Sequence, residues 1–213
     1  MTNSFRNLKW LICLLAVFLF ICLILGNAKR ALNLELPTYD YGIYNQAVFE
    51  IGHQIDVNPY MSVRDEHVFN DHFMPILLSA VPGAMILGYP QWYLTVFEAF
   101  WFIALFIFVY ATTKNFPDYE RVMALIFILF CKGIWVAMHF SAHPGSWSPI
   151  AWFLLVYYMI KKVDVGIALS ALFLLLFRES YVFCILSLSV FYILRPRFRK
   201  IGFVLLSISL TYM

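Results

Sequence analysis

Long apolar stretches along almost the whole chain constrain its fold more than any other sequence feature. The first, residues 10–26, contains no charged residue and follows Arg6 and Lys9. After a polar segment come seven more, at residues 75–88, 91–113, 122–138, 147–160, 165–177, 181–194 and 201–213. A helix that crosses a membrane needs about 20 predominantly apolar residues. The pattern therefore predicts an all-α protein with several membrane-spanning helices.

The composition supports the same class and argues against soluble alternatives. Of the 213 residues, 63% are hydrophobic and 13% are charged, whereas soluble domains average about 45–50% apolar and about 25% charged residues. The formal net charge of +3 is small and scattered along the chain, which argues against nucleic acid as a partner. Membrane lipid is the expected surrounding.

The first apolar stretch predicts an uncleaved helix at residues 10–26, with the amino terminus in the cytoplasm. A cleaved signal peptide is the alternative, because small residues follow at positions 26–28, where a peptidase would cut. The last stretch, residues 201–213, is too short to span a membrane. We therefore expect the chain to be the N-terminal part of a longer protein.

The distribution of basic residues predicts which apolar stretches cross the membrane. Residues 75–88 form a short stretch that contains Pro82 and Gly83, so we expect it to lie on the outer surface. Ten of the 15 Lys and Arg residues then fall on the cytoplasmic side, as the positive-inside rule requires: Arg6, Lys9, Lys114, Arg121, Lys161, Lys162, Arg195, Arg197, Arg199 and Lys200.

This arrangement predicts one transmembrane domain over residues 1–213, with about seven transmembrane helices. A first helix at 10–26 leads to a large outer loop at 27–90, which carries amphipathic surface helices. A helix bundle follows at 91–213. The polar residues of the outer face would then provide the chemistry of the protein.

The outer loop contains an amphipathic pattern directly after Asp40. From residue 43 onward, apolar residues recur at helical spacing: Ile43, Tyr44, Ala47, Val48 and Ile51. This spacing predicts a helix that lies along the membrane surface. Asp40 is either the N-cap of that helix or a carboxylate with a chemical role.

Further polar residues are expected at the outer face. His72 lies in the loop, and His143 and the pair Arg178-Glu179 lie at tight junctions between apolar stretches. Arg178 could hold a phosphate with its planar fork of donors, or the Arg-Glu pair could be a self-neutralising helix cap. The His and acidic residues at 64–67 and 70–75 match no metal site of known spacing, so no metal ligand is predicted.

Two charged residues fall inside apolar stretches, Glu98 and Lys132. Each lies about 10 Å from the outer end of its helix, at 1.5 Å per residue. The two helices are neighbours along the chain, so we predict that Glu98 and Lys132 form a structural ion pair. A functional role is the alternative, because charges within a membrane commonly mark functional sites.

Four motifs occur in a characteristic order along the chain: Tyr39-Asp40-x-Gly42-Ile43-Tyr44-x-Gln46-Ala47, His72-Phe73-x-Pro75-Ile76-Leu77, His143-Pro144 and Arg178-Glu179. In this respect the chain resembles a bacterial membrane family catalogued as domain of unknown function 2079, from about residue 27 onward. That family is similar in layout to the C-type glycosyltransferases. These are multispanning enzymes that take a sugar from a polyprenyl-phosphate carrier and work on the outer face of the membrane.

The resemblance implies a membrane glycosyltransferase with a polyprenyl-phosphate sugar donor, in the bacterial cytoplasmic (inner) membrane. Asp40 matches the acidic residue of the first outer loop, which serves in such enzymes as general base or orients the acceptor. His72, His143, Arg178 and Glu179 match motif positions and are expected to bind substrate. A divalent metal cofactor is compatible with the sequence but not required by it. The alternatives are a non-catalytic membrane scaffold, a transporter or a truncated paralogue.

Overall fold

A computed structural model of the chain describes residues 2–33, 35, 38–62, 65–139 and 143–212. Within these residues the fold is helical, as predicted, apart from one short antiparallel ribbon of β1 (Tyr60–Met61) and β2 (Glu66–His67). The α-helices of the described residues are α1 (Thr2–Leu32), α2 (Thr38–Gly52), α3 (Val68–Asp71), α4 (Val81–Leu87), α5 (Tyr93–Thr112), α6 (Asp118–Phe130), α7 (Lys132–His139), α8 (Pro149–Lys161), α9 (Asp164–Leu175), α10 (Val182–Ile193) and α11 (Arg199–Tyr212). The described ranges also contain 3₁₀ helices: η1 (Pro75–Ala80), η2 (Pro144–Trp147), η3 (Glu179–Tyr181) and η4 (Pro196–Phe198).

Proline and glycine mark several helix boundaries. Pro75 and Pro149 occupy the first helical positions of η1 and α8, where the missing backbone N–H is not needed. Gly88 ends α4 in the left-handed region, with φ 72°, a conformation that glycine adopts without steric cost. These residues divide the apolar sequence into short helices.

The first helix packs on the outside of the bundle. Helix α1 contacts α5 and α6, where Ile12 and Ala16 are buried beside Leu125 of α6. Its other side is exposed, as at Trp10 and Leu14. Helix α1 is longer than the predicted helix at 10–26, because the flanking polar residues extend it at both ends.

The second half of the chain consists of paired helices. Helix α8 packs against α9, and α10 packs against α11. At Gly202 of α11, a Cβ atom would lie 2.6 Å from the backbone nitrogen of Ile193 at the end of α10. Only glycine permits this approach of the two backbones, as is common at helix contacts within membranes.

The amphipathic helix predicted after Asp40 is confirmed as α2. Ala47 and Val48 are 0% and 1% exposed, whereas Gln46 on the opposite side is exposed. The buried side of α2 belongs to the same core as Trp147 before α8 and Ile185 of α10. The segment that contains α2 is therefore packed onto the bundle rather than separate from it.

The prediction of one continuous helix at residues 122–138 is wrong, because the structure has two helices there, α6 and α7. Cys131 has φ −65° and ψ 111°, an extended conformation that interrupts the helical hydrogen bonds and separates α6 from α7. Residues 75–88, which are expected to lie at the outer surface, form η1 followed by α4. Both contact α2.

Among the described residues, two helices are long and apolar enough to cross a membrane, Leu8–Leu32 and Tyr93–Thr112. Other apolar helical segments are shorter, including Pro75–Leu87, Asp164–Leu175 and Glu179–Ile193. The all-α class is therefore observed, together with helices that could span a membrane.

Candidate functional site

An aromatic cluster supports the two turns that carry His143 and Arg178. Trp147, which is fully buried, stacks on Trp101 of α5 with the ring centroids 6.3 Å apart. Phe177, also fully buried, meets the edge of the same Trp101 ring at 5.5 Å. Since Trp147 ends η2 and Phe177 directly precedes Arg178, burial of these rings holds both turns beside Trp101, near the middle of α5.

The loop that carries His72 is attached to the same region by a backbone hydrogen bond. The N–H of Ile76 donates to the carbonyl oxygen of Leu176 at 3.0 Å. His72 lies four residues before Ile76, and Arg178 lies two residues after Leu176. This contact explains how residues that are far apart in sequence meet in the fold.

His72 and Glu179 form the best-defined polar contact of the site. Nδ1 of His72 lies 2.9 Å from Oε1 of Glu179, and Nε2 lies 3.9 Å from Oδ1 of Asp71. Both His72 and Glu179 are partly buried. A carboxylate partner fixes the orientation of an imidazole ring, so Glu179 positions His72.

His143 lies next to this pair. Its ring centroid is 6.4 Å from that of His72, and its ring contacts Tyr44 of α2 edge-on at 5.4 Å. Nδ1 of His143 accepts the backbone N–H of Gly145 at 3.0 Å. In the neutral ring the proton is therefore assigned to Nε2.

Arg178 lies close to the same turn at the position of Gly145. A Cβ atom built at Gly145 would lie 3.8 Å from Cδ of Arg178 and 3.0 Å from Nδ1 of His143. The absence of a side chain at this position lets both groups lie close together. Nε of Arg178 and Oε2 of Glu179 are buried and have no hydrogen-bond partner among the described residues.

Asp40 lies within the first turn of α2 rather than before the helix, because α2 begins at Thr38. The N-cap interpretation of Asp40 is therefore wrong. Asp40 is partly buried and precedes Tyr44 by four residues, so the two lie on the same side of the helix. Because Tyr44 contacts His143, Asp40 is placed on the side of α2 that faces this turn.

Tyr41 adds a buried hydroxyl group to the same part of α2. Its oxygen has no hydrogen-bond partner among the described residues, and burial raises the pKa of Tyr41 to about 12. The hydroxyl group is therefore protonated at neutral pH and can donate a hydrogen bond.

Glu98 and Lys132 do not form the predicted ion pair in the part of the chain that the structure describes. Glu98 is fully buried in α5 and accepts a hydrogen bond from the hydroxyl group of Ser146 in η2. Lys132 is exposed at the start of α7. The break at Cys131 is the reason, since Lys132 begins a new helix instead of continuing the α6 surface.

Two positioning residues of the site could not be found from the sequence. Oγ of Ser146, which contacts Glu98, also lies 2.7 Å from the carbonyl oxygen of His143, so the two acceptors share one hydroxyl hydrogen. The hydroxyl group of Tyr181 lies 2.8 Å from Oγ of Ser148, which connects η3 to the end of η2. No local motif signals the Ser146–Glu98 and Tyr181–Ser148 contacts, because each joins separate segments of the chain.

Metal-binding side chains do not cluster within the described ranges. No cluster of three or more His, Cys, Asp or Glu residues in them could hold a metal ion. Arg64, in the polar stretch 64–67, and residues 140–142 before His143 lie outside the described residues. His67 of that stretch belongs to β2, opposite Tyr60.

Comparisons with known proteins identify the family. A search of curated proteins and a search of solved structures each found no match. The family model described as "Predicted membrane protein (DUF2079)" matches residues 30–213. This range contains α2, the aromatic cluster and all residues of the candidate site, and it covers most of the chain. The protein therefore belongs to the DUF2079 family of predicted membrane proteins.

Proposed function

We propose that this protein transfers a sugar from a polyprenyl-phosphate carrier to an acceptor at the outer face of the bacterial cytoplasmic membrane. The proposal rests mainly on one observation: His72, His143, Arg178 and Glu179 lie close together in the fold. Two buried polar atoms there, Arg178 Nε and Glu179 Oε2, have no partner among the described residues. Buried polar atoms are nearly always hydrogen-bonded, so a polar substrate group is a fitting partner.

The proposal includes a topology of about seven crossings with the amino terminus in the cytoplasm. The ion pair of Lys9 and Asp118, with 2.5 Å between Nζ and Oδ1, supports it. This contact brings the start of α1 and the start of α6 to the same end of the molecule, as the topology requires. The 3₁₀ helices η2 and η3 directly precede α8 and α10 and lengthen these short helices.

Arg178 is the proposed ligand of the phosphate group. A guanidinium group offers donors in a planar fork that matches phosphate oxygens. When the bond between the sugar and the phosphate breaks, the bonding electrons remain on the phosphate oxygen. A fixed cation next to that oxygen stabilises the transition state. His143, which like Arg178 lies next to the Cβ position of Gly145, is proposed to donate a second hydrogen bond from Nε2.

The acceptor hydroxyl group must lose a proton as its oxygen bonds to the anomeric carbon. Asp40 is the proposed general base, on the side of α2 that faces His143. His72, positioned by Glu179, is the second group that can take this proton. General base catalysis contributes typically about 10²–10⁴-fold to a rate, so the two candidates can be distinguished by substitution.

Binding of the carrier tests the phosphate site. Purified protein in detergent is titrated with polyprenyl phosphate and, separately, with the corresponding polyprenol. We expect polyprenyl phosphate to bind more tightly than polyprenol. Arg178→Gln should weaken the binding of polyprenyl phosphate by about 10-fold or more, because a charge-assisted hydrogen bond contributes about 1.5–3 kcal/mol. Arg197→Gln, an exposed arginine of η4, is the matched control. Equal binding of both lipids, or equal effects of both substitutions, would contradict the proposal.

Turnover tests the general base. Polyprenyl-phosphate hexose is incubated with the protein and a bacterial membrane fraction that supplies acceptors, and release of polyprenyl phosphate is measured. Asp40→Asn should lower release by about 100-fold or more while carrier binding is retained. If His72→Gln causes that loss and Asp40→Asn does not, then His72 is the base. Release that no substitution lowers would argue against glycosyl transfer at this site.

Transport is a second candidate, favoured by the break between α6 and α7 at Cys131. Interrupted helices near charged residues are a common feature of transporters, and Lys132 directly follows the break. Transport predicts that Lys132→Gln abolishes substrate flux into vesicles. Glycosyl transfer at the proposed site predicts that Lys132→Gln leaves release of polyprenyl phosphate unchanged.

A further inference from the structure

An apolar groove with a cationic end lies between α5, α6 and α8, apart from the candidate site. It encloses about 250 Å³. Its lining includes Val109, Thr113, Ala124, Phe153, Val156 and Lys161. The groove therefore follows the surfaces of three helices and ends at a lysine in the last turn of α8.

The walls of this groove present hydrocarbon even where the residues are polar. The hydroxyl groups of Thr112 and Thr113 donate to carbonyl oxygens of their own helix, Phe108 and Val109, at 2.8 Å and 2.7 Å. These donors are satisfied within α5. A ligand along the walls consequently needs hydrogen-bonding groups only at the end of the groove.

Lys161 provides the cationic end. Its side chain is exposed, and its ammonium nitrogen lies 5.7 Å from the ring centroid of Tyr157. The Tyr157 ring in turn meets the edge of Phe108, with the centroids 5.6 Å apart. These contacts place the charge of Lys161 above the apolar lining instead of directing it away from the groove.

We propose that this groove binds an anionic phospholipid, with an acyl chain along the apolar walls and the phosphate at Lys161. The ligand must be an amphiphile. A soluble anion would make no favourable contact with the apolar walls, and an uncharged hydrocarbon chain would make none with the charge of Lys161. Basic pockets between membrane helices bind anionic headgroups in this manner. The site is independent of the proposed sugar transfer, whose residues lie elsewhere.

Native mass spectrometry of the detergent-solubilised protein tests this site. Phosphatidylglycerol, phosphatidylcholine and inorganic phosphate are added separately, and bound adducts are quantified. We expect phosphatidylglycerol to bind most strongly and Lys161→Gln to weaken it by about fivefold, since a basic residue contributes roughly that factor to anionic lipid binding. Lys162→Gln, the neighbouring exposed lysine that does not line the groove, should have little effect.

A second variant tests the apolar walls without altering charge. Val156 is half exposed on the groove wall, so Val156→Trp should occupy the groove and weaken phosphatidylglycerol binding. Val165→Trp, at an exposed valine of α9 outside the groove, is its control. Similar binding of both lipids, equal effects of the two lysine variants or binding of inorganic phosphate alone would overturn the proposal.

Discussion

A buried carboxyl group under the candidate site shows how single residues organise this protein. Glu98 is fully buried in α5 and accepts a hydrogen bond from Ser146. The same Ser146 hydroxyl group contacts the carbonyl oxygen of His143. Because a buried polar group without a partner is costly, Glu98 favours the one conformation of the η2 turn that satisfies it. Glu98 thus positions His143 without belonging to the site itself.

We expect Glu98 to be energetically coupled to Ser146 and not to Lys132. Two double-mutant cycles in one background, Glu98→Gln with Ser146→Ala and Glu98→Gln with Lys132→Met, measure this through thermal unfolding in detergent. Residues in contact typically show coupling energies of about 0.5–3 kcal/mol, and residues without a shared partner are additive within about 0.5 kcal/mol. A strong coupling energy between Glu98 and Lys132 would instead support the ion pair predicted from the sequence.

At the scale of elements, the contact between α10 and α11 depends on a single small residue. The Cβ position of Gly202 lies 2.6 Å from a backbone nitrogen and 2.7 Å from Cγ1 of Ile193. A side chain here would push the backbones apart, because a backbone atom cannot rotate away as the end of a side chain can. Tyr212 of α11 also reaches the carbonyl oxygen of Leu175, at 2.6 Å, so displacement of α11 would loosen its contact with α9.

Gly202→Ala should therefore destabilise the protein by about 1–3 kcal/mol, the usual cost of overpacking. Gly26→Ala is the matched control, because Gly26 lies in α1 with no atom within 4 Å of its Cβ position. That change should stabilise α1 by about 0.5–1 kcal/mol, since alanine is the better helix former. Thermal unfolding in detergent compares the two variants. Equal changes in the stability of the two variants would show that the α10–α11 contact is looser than described.

At the scale of the whole molecule, the proposed topology gives the protein two sides with different roles. Lys9 and Arg121 line one small cavity with Tyr110, whereas His72, His143 and Arg178 meet at the candidate site. In the proposed topology the first group lies at the cytoplasmic face and the second at the outer face. The positive-inside rule is the physical basis for this assignment.

Cysteine labelling checks the topology directly. Single cysteines replace His53 after α2 and Lys162 after α8, both exposed, in a background in which the native cysteines are serine. A membrane-impermeant maleimide should label His53→Cys in intact cells and label Lys162→Cys only after lysis. Labelling of both positions from outside would place the two loops on one side and overturn the seven-crossing proposal.

Helicity and the buried side of α2 could be predicted from the sequence alone, because both depend on the local spacing of apolar residues. The pairing of His72 with Glu179, 107 residues apart, and of Ser146 with Glu98, 48 residues apart, depended on the tertiary structure. Such contacts depend on how helices rotate and approach one another, which local periodicity does not specify. The break at Cys131 is the sharpest example. Cys131 itself is neither proline nor glycine, and the break there moved Lys132 away from the partner that the helical pattern suggested.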